Sequence, residues 1–377
     1  MKKILLTFAS VLFFAIVLAQ EKFKAFSLQK KSIDLSTGIC MSYVDTGNPS
    51  GSPVLLLHGY TDTSRSFELL IEDLKSINGN LRIIAPDLRG HGDTSMPDAE
   101  QCKGAPEKCF TPEQLAEDVI SLMNHLKIQK MYVVGHSMGS IVAQRLALHS
   151  TDRVNSMVLL ETFVHGKECD TIQDFLIGEL VEKNWKRIME EKSGIENWPE
   201  DVYSITPMSM EEKVKTFLKE NWVVEAAAAP DFLEAIFPET LRIPLGTWIG
   251  AIKALGEVDY RVALAKLKIP TLILWATQDG ITSPKDQVYV RSAFQSAAKS
   301  NGTLVVYKTY GKLPLPEPGN PLTELGHNLH WAAPKAVAED IHSFISTGMP
   351  ISNLPYANPA NPMEILIDNI SSIEVFE

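Results

Sequence analysis

With 377 residues, 45% of them apolar, the chain is long enough to bury one large core plus an inserted element, and too apolar for a disordered chain. A formal net charge of −11 repels phosphate backbones and argues against nucleic acid as a partner. Beyond the N-terminus no run is long and apolar enough to span a bilayer.

Lys2 and Lys3, an apolar run over 4–18 and Ala19 before Gln20-Glu21-Lys22 have the layout of a secretory signal peptide over 1–19, with an uncleaved signal anchor as the alternative. Either way the sequence predicts a secreted or extracytoplasmic body, with no stable membrane span after cleavage. Two weak strands over 25–31 and 39–44 read as an antiparallel opening hairpin. Short, continuous apolar runs follow at 53–57, 81–85, 131–134, 157–160, 271–275 and 303–307, each suited to a buried strand. Between them lie helical patterns at 66–76, 111–127, 138–149, 284–298 and 334–346, several opened by a capping residue and a proline. This alternation predicts an α/β fold: a mostly parallel eight-stranded sheet with helices on both faces, built from 20–164 and 261–347.

The alternation stops between 165 and 260. That stretch has helical periodicity and many large aromatics, including Trp185, Trp198, Tyr203, Phe217, Trp222, Phe232, Phe237 and Trp248, and reads as a helical cap over the sheet's carboxyl edge. Most of those aromatics belong to the cap's own core and the rest to a pocket wall. Residues 348–377 read as a linker rich in proline and asparagine and a tail of unassigned docking. Cys102 and Cys109 bracket a loop short enough to close as a disulfide, while the pairing of Cys40 and Cys169 stays open, buried free thiols being one reading. No cysteine spacing or nearby histidine pair suggests a metal site, so none is expected.

Chemistry concentrates at Gly135-His136-Ser137-Met138-Gly139, between an apolar strand and a helix. Glycines on both sides admit a serine in a strained backbone conformation that lifts its hydroxyl clear of the sheet. The Met138 amide and the positive end of the following helix then face the point where an oxyanion forms. An acid belongs after a late strand and a histidine after the last, because catalytic groups gather at the carboxyl ends of parallel strands. Asp279, just past the seventh strand, fits the first place, with Glu161 as its rival. His327 fits the second in Gly326-His327-Asn-Leu-His330-Trp331, with His330 read as packing near the helix entry.

These pieces together resemble the α/β-hydrolases of the esterase, lactonase and carbon-carbon hydrolase group that carry a helical cap. The resemblance rests on Leu57-His58-Gly59-Tyr60, Pro86-Asp87-Leu88-Arg89-Gly90-His91-Gly92-Asp93, the Ser137 turn, Trp275 to Asp279, and Gly326-His327 followed by Pro334, in the family's order over roughly residues 25 to 347. It implies a Ser137, Asp279, His327 triad and an oxyanion hole from the amides of Tyr60 and Met138. It makes His91, with Asp87 and Arg89, a support of backbone turns. His58 reads as a brace of the oxyanion loop, and the His136 side chain as turned away from substrate. Asp62 and Arg65 reach substrate or cap the next helix, while Asp62, His58, His330 and Trp331 are the further candidates for substrate or supporting contacts.

Two departures stand out. Ala332-Ala333-Pro334 lacks an acidic residue that many relatives have between the histidine and the proline, and 311–323 is long and proline-rich. The expected reaction is hydrolysis of a small carboxylic ester or lactone with a hydrophobic part, through an acyl-enzyme and without a cofactor. A serine nucleophile argues against epoxide hydrolysis, which in this fold generally uses aspartate. Carbon-carbon bond hydrolysis, thioester cleavage, acyl transfer and ligand binding without turnover remain alternatives on the same residues.

Overall fold

A computed structural model describes residues 23–102, 104–193, 195–311, 325–351, 356–358, 361–366 and 371–377. The expected signal peptide over 1–19 lies outside these residues, as does nearly all of the proline-rich stretch 311–323. Eight strands come first: β1 (Lys30–Asp34), β2 (Cys40–Asp45), β3 (Ser52–Leu57), β4 (Leu81–Pro86), β5 (Met131–His136), β6 (Val154–Leu160), β7 (Thr271–Ala276) and β8 (Val305–Tyr310). A separate two-stranded pair follows, β9 (Tyr356–Asn358) with β10 (Asn361–Leu366), and then β11 (Ser371–Phe376). Among the described residues the main sheet has nine strands in the order β1-β2-β4-β3-β5-β6-β7-β8-β11. It is parallel from β4 through β8 and antiparallel at both ends.

The sheet thus gains one strand over the eight expected, because part of the tail folds back onto it. β11 lies along β8, with Phe376 stacked 6.1 Å from Tyr307 and Glu374 paired with Arg291 at 2.5 Å. The first strand also starts later than expected, at Lys30, where residues alternate opposite β2; the preceding segment instead packs Phe23 and Phe26 against Phe232.

Helices α1 (Glu68–Ile77), α2 (Ala99–Cys102), α3 (Pro112–His125) and α4 (Met138–His149) lie among the early strands. Thr111 opens α3 with a reciprocal capping box with Gln114, and Pro112 fixes its first turn. Between β6 and β7 run a π-wound helix over Thr171–Trp185 that continues into α5 (Lys186–Ser193), then α6 (Glu212–Asn221), α7 (Pro230–Leu241) and α8 (Leu245–Gly256). The ends of this insertion meet: His165 and Asp259 pair as an antiparallel bridge, the Gly166 amide donates to the Val258 carbonyl, and the Tyr260 amide donates to the Val164 carbonyl, the last two at 2.8 Å. Trp185, Phe232 and Trp248 of the insertion are buried, the last two against residues outside it, whereas Phe217 faces solvent. The rest of the chain supplies α9 (Pro284–Asn301), α10 (Leu329–Ala332) and α11 (Pro334–Thr347). Among the described residues no helix is long and apolar enough to cross a membrane.

The insertion is bolted to the loop after β3. Tyr60 donates its hydroxyl to the Trp248 carbonyl at 2.6 Å and meets the Trp222 and Trp248 rings edge-on, while the Trp222 indole N–H donates to Thr61 Oγ1 at 2.8 Å. Cys102 and Cys109 form a disulfide. Cys169 is free and buried, whereas Cys40, the first residue of β2 opposite Asp34, is free and exposed.

Candidate active site

The turn from β5 into α4 holds Ser137 at φ 49° and ψ −117°, a conformation that side chains at 135 and 139 would forbid. A Cβ on Gly139 would lie 2.1 Å from the Leu57 carbonyl oxygen, and one on Gly135 would lie 2.4 Å from the Gly139 oxygen. The elbow is pinned by the Ser137 amide donating to Leu160 O at 3.0 Å and by Ser140 Oγ donating to Ser137 O at 2.6 Å. Met138 opens α4, so its amide has no helical carbonyl to bond.

Ser137 and His327 line one cavity of about 820 Å³ between the sheet's carboxyl end and the insertion, and Tyr60 stands at its wall. His327 Nδ1 bonds Asp279 Oδ1 at 2.9 Å, which directs Nε2 as the ring atom left for another partner. Asp279 Oδ1 also accepts the amides of Ile281 (2.7 Å) and Thr282 (3.0 Å), and Oδ2 accepts the Thr282 hydroxyl. Burial alone would raise the Asp279 carboxyl, but the His327 charge and these donors hold it well below the usual carboxylate range. For His327, burial pulls downward and is outweighed by Asp279, so the imidazole sits above its ordinary value.

Glu161, the rival acid, sits at φ 47° with its carboxyl against the Ala276 amide at 3.1 Å, and no hydrogen bond joins it to His327. Burial, and then the Asp279 charge, push its carboxyl well above the normal range. His58 lies beneath the site: its Nε2 accepts the Leu88 amide and its Nδ1 donates to Gly59 O, both at 2.9 Å. Burial lowers it to about 3, so it is neutral. Asp87 accepts amides from Ser64 and Asp93 and the Lys30 ammonium, while Arg89 forks onto Asp118 and donates to Cys109 O. His91 donates to Arg89 O at 2.9 Å. Arg65 faces away, donating to Leu28 O with its guanidinium over Phe26.

Asp62 and Trp331 line the cavity; His58 and His330 do not. His136, read from the sequence as turned away, also lines it. The reason is its Nε2–H, which donates to the His327 carbonyl at 2.8 Å and draws the ring toward the histidine loop. Its Nδ1 lies 3.6 Å from Asp62, and the fully buried His330 packs 4.4 Å from its ring. Asp62, His136 and His330 lie close enough for one ion to reach all three, the only such group among the described residues.

One participant had no motif to announce it. Glu225, between α6 and α7, accepts the amides of Gly326 and Asn328 at 2.9 Å each, on either side of His327. Its signal in the sequence was a single carboxylate inside the apolar run Trp222-Val-Val-Glu-Ala-Ala-Ala-Ala229, a pattern that marks a buried acid needing partners.

Residues 52–186 match the family model described as alpha/beta hydrolase fold. The chain has the alpha/beta hydrolase fold. An esterase from Thermogutta terrifontis superimposes with a TM-score of 0.58 at 23% identity, covering 84% of this chain and 98% of the esterase. Lipase 1 of Psychrobacter immobilis is 22% identical over 290 residues, 77% of this chain and 80% of the lipase. Epoxide hydrolase 3 of Siraitia grosvenorii is 35% identical over 133 residues, 35% of this chain, and the chain spans only 39% of that relative's length. The proteins this chain is similar to thus include an esterase, a lipase and an epoxide hydrolase.

Proposed function

We propose that the chain is a serine hydrolase that cleaves a carboxylic ester or lactone with a hydrophobic moiety through an acyl-enzyme. The observation that carries this reading is the Asp279–His327 hydrogen bond of 2.9 Å beside a strained Ser137 on the same cavity wall. In this mechanism His327 takes the Ser137 proton as the hydroxyl attacks the carbonyl carbon. The amides of Tyr60 and Met138 receive the oxyanion, and His327 returns the proton to the departing alcohol. Water, deprotonated by His327, then attacks the acyl carbon and releases the acid and the serine. Asp279 holds the ring tautomer and stabilises the imidazolium.

The hydrophobic preference is supported by Leu176, Leu233, Phe237 and Ile252 on the cavity wall. In this reading the segment 165–260 is the cap that shapes specificity, and 1–19 directs the body out of the cytosol. The serine at 137 favours ester over epoxide chemistry, despite the similarity to an epoxide hydrolase. A fluorophosphonate probe should label the wild-type protein once per chain, and Ser137→Ala should abolish both the label and hydrolysis of p-nitrophenyl acyl esters. An unlabelled wild type that leaves esters and lactones of graded size intact would overturn the proposal.

A further inference from the structure

We infer that Glu225 is a positioning residue for His327: the inserted segment, rather than the sheet, fastens the loop that carries the base. The inference rests on the serine-hydrolase reading for its catalytic consequence and on backbone geometry for the rest. One carboxylate oxygen takes the Gly326 amide and the other the Asn328 amide, each at 2.9 Å, so the peptide units flanking His327 are held by a single side chain. The His327 carbonyl receives His136 from the opposite partner at 2.8 Å. Backbone on both sides of the ring is therefore fixed before Asp279 orients the ring itself. The approach is close: a Cβ on Gly326 would stand 3.0 Å from Glu225 Oε2, so a side chain there would crowd the carboxylate.

A carboxylate suits this place better than any neutral side chain, because two N–H donors converge on it and it is acceptor-only when ionised. A glutamine offers one oxygen and turns an NH2 toward the second amide. A protonated carboxyl does the same with an O–H. Burial raises Glu225 to about 7 against the pull of the two amides. The titratable groups facing it are His327, whose positive form lowers its pKa, and Asp279 and Glu161, which raise or share in the charge there. Proton uptake at Glu225 near pH 7 thus loosens the histidine loop, and His327, raised by Asp279, gains a proton as the pH falls as well. Acid inactivation then involves two groups, one of them on the insertion.

The test compares the full chain with Glu225→Gln and Glu225→Ala. Hydrogen exchange by mass spectrometry should show one of the Gly326 and Asn328 amides exchanging about 10- to 100-fold faster in Glu225→Gln and both in Glu225→Ala, the loss expected for each hydrogen bond to a charged group. With p-nitrophenyl butyrate, kcat should fall about tenfold with KM within about twofold. The acid limb of kcat/KM should lose one proton, changing from a two-proton to a one-proton descent. Wild-type protein alone gives a further readout: protection of these two amides, corrected for intrinsic exchange, should fall as the pH drops through about 7. Unchanged exchange in Glu225→Gln with a superimposable pH profile, or wild-type protection that is flat across that range, overturns the inference. Absence of any ester turnover or probe labelling in the wild type would instead remove the hydrolase reading, and the exchange data would still decide whether Glu225 holds the loop.

Discussion

Asp279→Asn separates two contributions of the acid, and the structure dictates which survives. The Ile281 and Thr282 amides both donate to Oδ1, so the asparagine must place its carbonyl oxygen there, where it still accepts from His327 Nδ1. Its NH2 then falls in the Oδ2 position, against a Thr282 hydroxyl able to accept. The imidazole tautomer is therefore preserved and only the charge is lost. For charges about 4 Å apart at an effective dielectric of about 20, that charge is worth about 4 kcal/mol, or about a thousandfold in rate. A flipped amide that reversed the tautomer would cost about ten-thousandfold. The assay is kcat/KM for a p-nitrophenyl ester across pH. Because Asp279 raises the His327 pKa, its neutralisation should also move the acid limb to lower pH. A loss below about tenfold would refute the electrostatic role, while a loss equal to that of Ser137→Ala would refute the preserved tautomer.

Gly139→Ala should destabilise the fold by about 3 kcal/mol and abolish probe labelling, because the added methyl meets backbone of β3 rather than a movable side chain; a denaturant melt superimposable on wild type would contradict this. Lys308→Met should cost about 3–5 kcal/mol, since it leaves the buried Asp340, which Lys308 pairs with at 2.6 Å, with no countercharge and only hydrogen bonds such as that from the Tyr310 hydroxyl, and Lys308→Met with Asp340→Leu should recover part of the loss in thermal unfolding. No recovery in the double variant would show that the pair is not what the single substitution breaks.

The sheet was legible where runs were short, apolar and continuous: 131–134 and 157–160 fall inside β5 and β6, and the later helices begin at the prolines that marked them. β11 was not, because Ser371-Ser-Ile-Glu-Val-Phe376 reads as an ordinary amphipathic segment until β8 is seen beside it. Pairing over such a distance leaves no local mark. The site divides the same way. Ser137 announced itself through the glycines its conformation requires, and Asp279 and His327 through their places after strands. Glu225 holds backbone amides, which every residue type but proline carries, so its partners could not be read from side chains. The orientation of His136 likewise depends on a carbonyl 191 positions away.

Because His165 and Asp259 are paired, the insertion is a closed excursion, and the sheet sees β6 and β7 as though a short connection joined them. Such an arrangement invites transplantation: a foreign helical segment grafted between those two residues would leave the strands, Ser137, Asp279 and His327 in register while replacing most of the cavity wall. In the proposed hydrolase, selection can thus rewrite substrate choice without disturbing the chemistry, with one condition. The graft must also bring an acceptor to the amides beside His327, for otherwise the new wall arrives with a loosened base.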